Sequence, residues 1–320
     1  MIIEDNFLPY KVGGLLYTPA TDRNIVHHLK ENMIKDITSL ALCLEDSITD
    51  DILVEAEINL KKIMADLRNT KNLPLLFVRV RTPEHLQHIY EMLGDDAELL
   101  TGFVLPKFSL DNADKYLEIT DRINSSLNRT MYIMPTIESP MFTAYNGAEK
   151  LEMLKQMIDY ARKYVLNIRF GGNDFLNLYG LRRNIQQNIY QIGVVRDVLV
   201  NILNVFSGDY VVSGAVWEYY DNGTDDKWKI GLEKELELDR LNGFIGKTAI
   251  HPSQLPVIYE SLKPCRQDYE DAKHILSWTE KLGVSRNISG NRMNEVKTHQ
   301  KWAEKMLILG EIYGINEVSQ

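Results

Sequence analysis

The chain has 320 residues, 44% hydrophobic and 25% charged, an ordinary balance for a globular protein able to bury a sizeable core. Its formal net charge of −9 argues against a nucleic-acid partner, and no apolar run is long enough to span a bilayer. Cys43 and Cys265, the two cysteines, supply neither a disulfide framework nor a four-ligand zinc site; with no secretory pattern in MIIEDNFLPYKV, a reducing cytoplasm is the expected setting.

Eight short apolar runs recur along the chain with helical patterns between them. They are GGLLYTPA from Gly13, SLALCLED from Ser39, LPLLFVRV from Leu73, LTGFVLPK from Leu100, MYIMPTIE from Met131, LNIRFGG from Leu166, YVVSGAVW from Tyr210 and GFIGKTAIHP from Gly243. Near-continuous apolar strands suit a parallel sheet buried on both faces, and eight βα units suit a closed (β/α)8 TIM barrel, an α/β fold. An open doubly wound sheet usually shows GxGxxG in its first turn, and that motif is absent here. Start signals for helices stand at Asp22, at Thr49 with acids following, and at Thr82-Pro83. AEKLEMLKQMIDYARK has the three- and four-residue apolar spacing of an outer helix.

Past Pro264 the rhythm changes. CRQDYEDAKHILSWTEKL reads as a helix, GVSRNISGNR as a polar connector, and MNEVKTHQKWAEKMLILGEIYG as a second helix. The expected division is a barrel over residues 1–264 and a C-terminal helical tail over 265–320, packing on the barrel or on a neighbouring subunit.

Barrel enzymes work at the C-terminal ends of their strands. Those ends lead in order to Arg23, Glu45-Asp46, Arg79 and Arg81, Lys107, Glu138, Asp174, Ser213 with Glu218, and His251. Glu138 and Asp174 lie one strand–helix–strand unit apart and would leave neighbouring strands side by side. Two facing carboxylates repel unless a cation or a proton sits between them, and Mg2+ commonly takes only one or two protein carboxylates. The same spacing also fits two helix-capping or solvated loop acids. Arg79 alternates with apolar neighbours in FVRVR, and an arginine inside a barrel mouth is costly without an anion. Arg81 reads as a loop charge, Lys107 as an ion-pair partner of Glu45 or Asp46, and His251 as a loop-fixing residue. His27, His28, His85 and His88 are expected on outer helices facing solvent, and Arg182-Arg183 on a solvated face.

The motifs LYTPATDR, LCLEDSI, FVRVR, GFVLPKF, PTIESP, GGNDF and GKTAIHPSQ, in that order, resemble the citrate lyase beta-subunit and 2-keto-acid aldolase family over roughly residues 13–265. The chain looks like a divergent member. It has Ala20 where glycine usually follows the first-motif proline, Cys43 in place of an acid, Arg81 where asparagine is usual, and Lys297 two residues after the tail acid Glu295. The resemblance implies a Mg2+-binding (β/α)8 barrel that makes or breaks a carbon–carbon bond next to a carbonyl. It implies Glu138 and Asp174 as metal ligands and Arg79 as the group holding a substrate carboxylate or enolate oxygen. Glu45 and Asp46 become acids near the ion's waters, and Arg23, Lys107, Gly172 and His251 substrate contacts. A small carboxylic or keto acid, free or carrier-linked, is the implied substrate, and a homo-oligomer, trimer or hexamer, the implied assembly. The alternatives are a thioester hydrolase on the same scaffold and a non-catalytic ligand-binding subunit of a biosynthetic complex.

Overall fold

The computed structural model describes residues 7–278, 283–287 and 290–317. The first six residues and part of the polar connector therefore lie outside the described residues. All eight apolar runs are strands: β1 Gly14–Pro19, β2 Ser39–Cys43, β3 Leu75–Arg79, β4 Gly102–Leu105, β5 Tyr132–Ile137, β6 Ile168–Phe170, β7 Val212–Ser213 and β8 Lys247–Ala249. They form one parallel sheet in the order β7-β6-β5-β4-β3-β2-β1-β8. The two ends of that sheet meet through Ile245 N–H donating to the Val212 carbonyl at 2.8 Å and Gly214 N–H to that of Gly246 at 3.0 Å. The result is a nearly closed barrel of the TIM type.

Gly246 makes the closure possible. Its φ is +74°, and a Cβ there would stand 2.0 Å from the Gly13 carbonyl oxygen. Only glycine lets the backbone into β8 pass that close to the entry of β1.

The helices follow their apolar spacing. Pro83–Leu93 buries Leu86, Ile89 and Leu93 and is capped by Thr82, whose side chain accepts from His85 N–H. Gly147–Tyr160 buries Leu151, Leu154 and Ile158. The start at Thr49 is a short 3-10 turn, Asp50–Ile52, leading into Leu53–Leu67. Asp22 acts two residues ahead of the N-cap Asn24 of the helix Ile25–Lys30 by accepting from Asn24 N–H at 2.8 Å.

The chain forms two compact units, Val12–Ile258 and Met1–Lys11 with Tyr259–Gln320. The second contains the helices Arg266–Leu276 and Val296–Tyr313, the latter a C-terminal helical extension. One sequence expectation is corrected here. Val284–Arg286 and Met293–Glu295 pair as an antiparallel hairpin, so MNE is strand rather than helix. The Asn287 side chain fixes the turn by accepting from the N–H groups of Asn291 and Arg292, and that local bonding outweighs helical periodicity over three residues. Among the described residues no helix is long and apolar enough to cross a membrane.

Candidate active site

A cavity of about 440 Å³ opens at the C-terminal ends of the strands. That volume suits a small ligand. Its lining includes Asp46, Arg79, Glu138, Gly172, Asp174 and Glu218. Glu138 follows β5, and Asp174 lies in the first turn of the short helix Gly172–Leu178 after β6. The two acids thus meet on one wall.

Glu138 is 3% exposed. Burial first, then the Asp174 charge, pushes its carboxyl up to about 8 despite the opposing pull of Arg79. Burial and the Asp46 charge likewise raise Asp174. The fold has therefore built a carboxylate pair that is unfavourable when both are ionised. Two details hold it. Lys107 has φ +50° in the left-handed region, an uncommon conformation that aims its N–H at Glu138 Oε1, 2.8 Å away. Gly171 leaves room for the carboxyl, since a Cβ there would lie 2.1 Å from Glu138 Oε2. If Glu138 and Asp174 hold a divalent cation, Gly171→Ala should lower its affinity about 10- to 100-fold with both acids still in place, measured by calorimetric titration.

Arg79 closes β3 and is 6% exposed. It pairs with Glu45 at 2.9 Å, Asp46 at 3.0 Å and Glu138 at 3.5 Å, and its guanidinium lies over the Tyr17 ring, 5.5 Å from the centroid. Burial works against its charge, but Tyr17, Glu138 and Glu45 hold its pKa well above the ordinary arginine value. Glu45 is buried behind Arg79 and also bonds Lys107 Nζ, whereas the Asp46 side chain is 55% exposed and faces the cavity. Burial raises Glu45 against the pull of Arg79. For Asp46 burial pushes upward, but the Arg79 charge, a hydrogen bond with Glu45 and the Lys107 charge outweigh it and lower the pKa.

The other expected contacts lie elsewhere. Arg23 has a side chain 79% exposed, pairs with Glu55, and does not line the cavity. His251 stacks on Tyr220 at 4.7 Å, and its Nδ1 meets Ser253 Oγ at 2.8 Å; its neighbour Ile250 reaches the cavity. Arg81 does more than sit as a loop charge, since it ties down the β2 loop through the carbonyls of Leu44 and Ile48 and through Asp50. His85 does not face solvent: its side chain is 9% exposed, meets Glu57 at 3.1 Å, and accepts from Arg81 N–H. Burial lowers its pKa against the pull of Glu57. Arg182 is solvated, but Arg183 is fully buried against Glu235.

Sequence reasoning passed over Tyr17, Thr136, Arg169 and Thr248, which line the cavity from β1, β5, β6 and β8. Arg169 carried the signal that marked Arg79, a charge inside an apolar run. Among the described residues no group of three or more His, Cys, Asp or Glu side chains gathers to hold a metal. Glu138 and Asp174 are two. That number fits an ion that keeps most of its sites for water and substrate.

A family model described as C–C bond lyase of the TIM-barrel fold matches residues 6–315. Solved structures share the fold. CitE from Mycobacterium tuberculosis, in complex with magnesium, acetoacetate and coenzyme A, is 18% identical over 94% of this chain and 99% of its own, with a TM-score of 0.59. A citrate lyase from Burkholderia xenovorans LB400 is 13% identical over 95% and 93%, with a TM-score of 0.72. The citrate lyase beta subunit from M. tuberculosis, complexed with oxaloacetate and magnesium, is 19% identical over 80% and 99%, with a TM-score of 0.51. No curated protein sequence matches.

Proposed function

We propose, since the chain belongs to the family of C–C bond lyases of the TIM-barrel fold, that it is a Mg2+-dependent lyase or aldolase acting on a small carboxylic or keto acid through an enolate. The observation that carries this reading is the buried Glu138 beside the half-buried Asp174 on one cavity wall, with Arg79 reaching Glu138 at 3.5 Å. Such a pair fits a divalent cation, because the cation relieves the repulsion that raises both carboxyls. Mg2+ and small acids in the M. tuberculosis structures support the same reading.

Glu138 and Asp174 would hold the ion. When bound, Mg2+ supplies Lewis-acid polarisation of the substrate carbonyl. Arg79, kept charged by its acidic neighbours, stabilises the negative oxygen that develops as the carbon–carbon bond breaks. Asp46, which lines the cavity, would take the substrate hydroxyl proton, and Glu45, paired with Arg79 and Lys107, would hold them in position. Arg23 and His251 act at a distance from this chemistry, on the carrier side or in the loops. The barrel over 1–264, the tail over 265–320 and assembly as a homo-oligomer complete the proposal.

The test is turnover of 2-keto and 3-hydroxy acids, free and as thioesters, with Mg2+ and with chelator, followed by product analysis. Carbon–carbon cleavage lost under chelator supports the scheme. Release of only thiol and intact acid would instead mark a hydrolase, and metal binding without turnover of any candidate a ligand-binding subunit.

A further inference from the structure

Arg169 sits on β6 in register with Thr136 on β5 and Ser213 on β7, inside the barrel and inward of Glu138 and Asp174 in sequence along their strands. It is 1% exposed and lines the cavity floor with Tyr17, Thr136 and Thr248. Nη2 donates to Thr248 Oγ1 at 2.7 Å. Nε and Nη1, and the neighbouring Thr136 Oγ1, are buried without a hydrogen-bond partner. No carboxylate among the described residues pairs with Arg169, whereas Arg79 has three. Burial lowers the Arg169 pKa and the Arg79 charge pushes the same way, while Tyr17 beside the guanidinium opposes both.

A buried guanidinium without a counter-charge is a liability to the fold. It is recovered only when an anion arrives, and a guanidinium fork suits a carboxylate's two oxygens. The acids Asp46, Glu138, Asp174 and Glu218 line other parts of the same cavity. A ligand anion is therefore repelled there unless a cation intervenes, and attracted at the floor.

We infer that Arg169, with Thr136 and Thr248, is a specificity site for a free carboxylate, so that the substrate carries an anionic group remote from the end gripped beside Glu138 and Asp174. The inference rests on the proposed reading of this cavity as the substrate site. Arg169 is a binding residue in it and takes no part in proton transfer.

Calorimetric titration of pyruvate and 2-oxobutyrate against oxaloacetate and 2-oxoglutarate, with and without Mg2+, tests it. The wild type is expected to bind at least one dicarboxylate about tenfold or more tighter than its monocarboxylate counterpart. In Arg169→Met that ratio is expected to fall to about one, with monocarboxylate affinity and Mg2+ affinity kept. Arg169→Gln gives the same readout in a polar side chain should the Met variant not fold. No dicarboxylate preference in the wild type, or a preference surviving in the variant, overturns the inference. If the preference vanishes with Arg169 but no affinity depends on Mg2+, the floor site stands and the metal reading falls. If Mg2+ strengthens every ligand equally with no preference, the metal reading stands and the floor site falls.

Discussion

Glu138→Gln is expected to abolish measurable Mg2+ binding and to lower turnover by about a thousandfold or more. The reason is local. The amide keeps an oxygen that can accept from Lys107 N–H, so the strained turn behind β4 retains its anchor. Arg79 keeps Glu45 and Asp46 and is not stranded. What disappears is one of two negative charges beside the ion, together with the repulsion that made a cation favourable there. Metal affinity by calorimetry and product formation should be lost together while the thermal unfolding curve stays cooperative. Full turnover of this variant under chelator would remove the scheme.

The same substitution has an opposite signature in stability. The Glu138 carboxyl is raised to about 8 in the folded chain, chiefly by burial, with Asp174 and Glu45 adding to it and Arg79 opposing it. An unfolded glutamate titrates near 4.3. Between those values the folded state holds a proton that the unfolded state has released, so stability falls as pH rises through the window. Metal-free wild type should therefore lose Tm from about pH 5 to about pH 8 relative to Glu138→Gln, which carries no titrating group at that position. Saturating Mg2+ should erase the difference in wild type alone. A parallel pH dependence of the two metal-free proteins would contradict the raised carboxyl.

Why the Glu138–Asp174 wall was readable while the floor was not follows from where each residue stands in its run. Glu138 and Asp174 end apolar stretches, at the place where a barrel presents chemistry, and PTIESP and GGNDF keep the family order around them. The eight strands were legible because burial on both faces leaves little but apolar residues in each, as in β2 and β4. Arg169 sits inside its run, flanked by Ile168 and Phe170; the charge there is a signal, as it is at Arg79, but it does not by itself tell helices from barrel interior. Register with Thr136 settles that only once the sheet has formed. Arg183 had no signal at all. Its neighbour Arg182 is solvated, and the acid that buries Arg183 comes from a helix dozens of residues later.

Lys247→Met should produce the largest loss of stability, about 3–5 kcal/mol, read as a lower urea midpoint at pH 7. Lys247 is fully buried on β8 and faces two acids from the helix Lys227–Asn242, Glu235 at 3.0 Å and Asp239 at 2.6 Å. Glu235 is fully buried as well, bonds Arg183, and accepts from Ile189 N–H at 2.8 Å; Asp239 accepts from the Tyr190 hydroxyl at 2.7 Å. The network joins β8, that helix and the loop after β6 across the seam where the barrel closes. Burial works against the Lys247 charge, yet Asp239 and Glu235 raise its pKa overall. Burial already raises Asp239, with Lys247 opposing it. Removing the ammonium leaves two acids with one arginine, and Asp239 with only a phenol. Protonating Asp239 relieves the strain, so the deficit should shrink from pH 8 to pH 5. Lys115→Met, which removes an ion pair whose side chains are 68% and 65% exposed, should leave the midpoint in place. Equal effects of the two substitutions would mean that the seam holds without its buried charges.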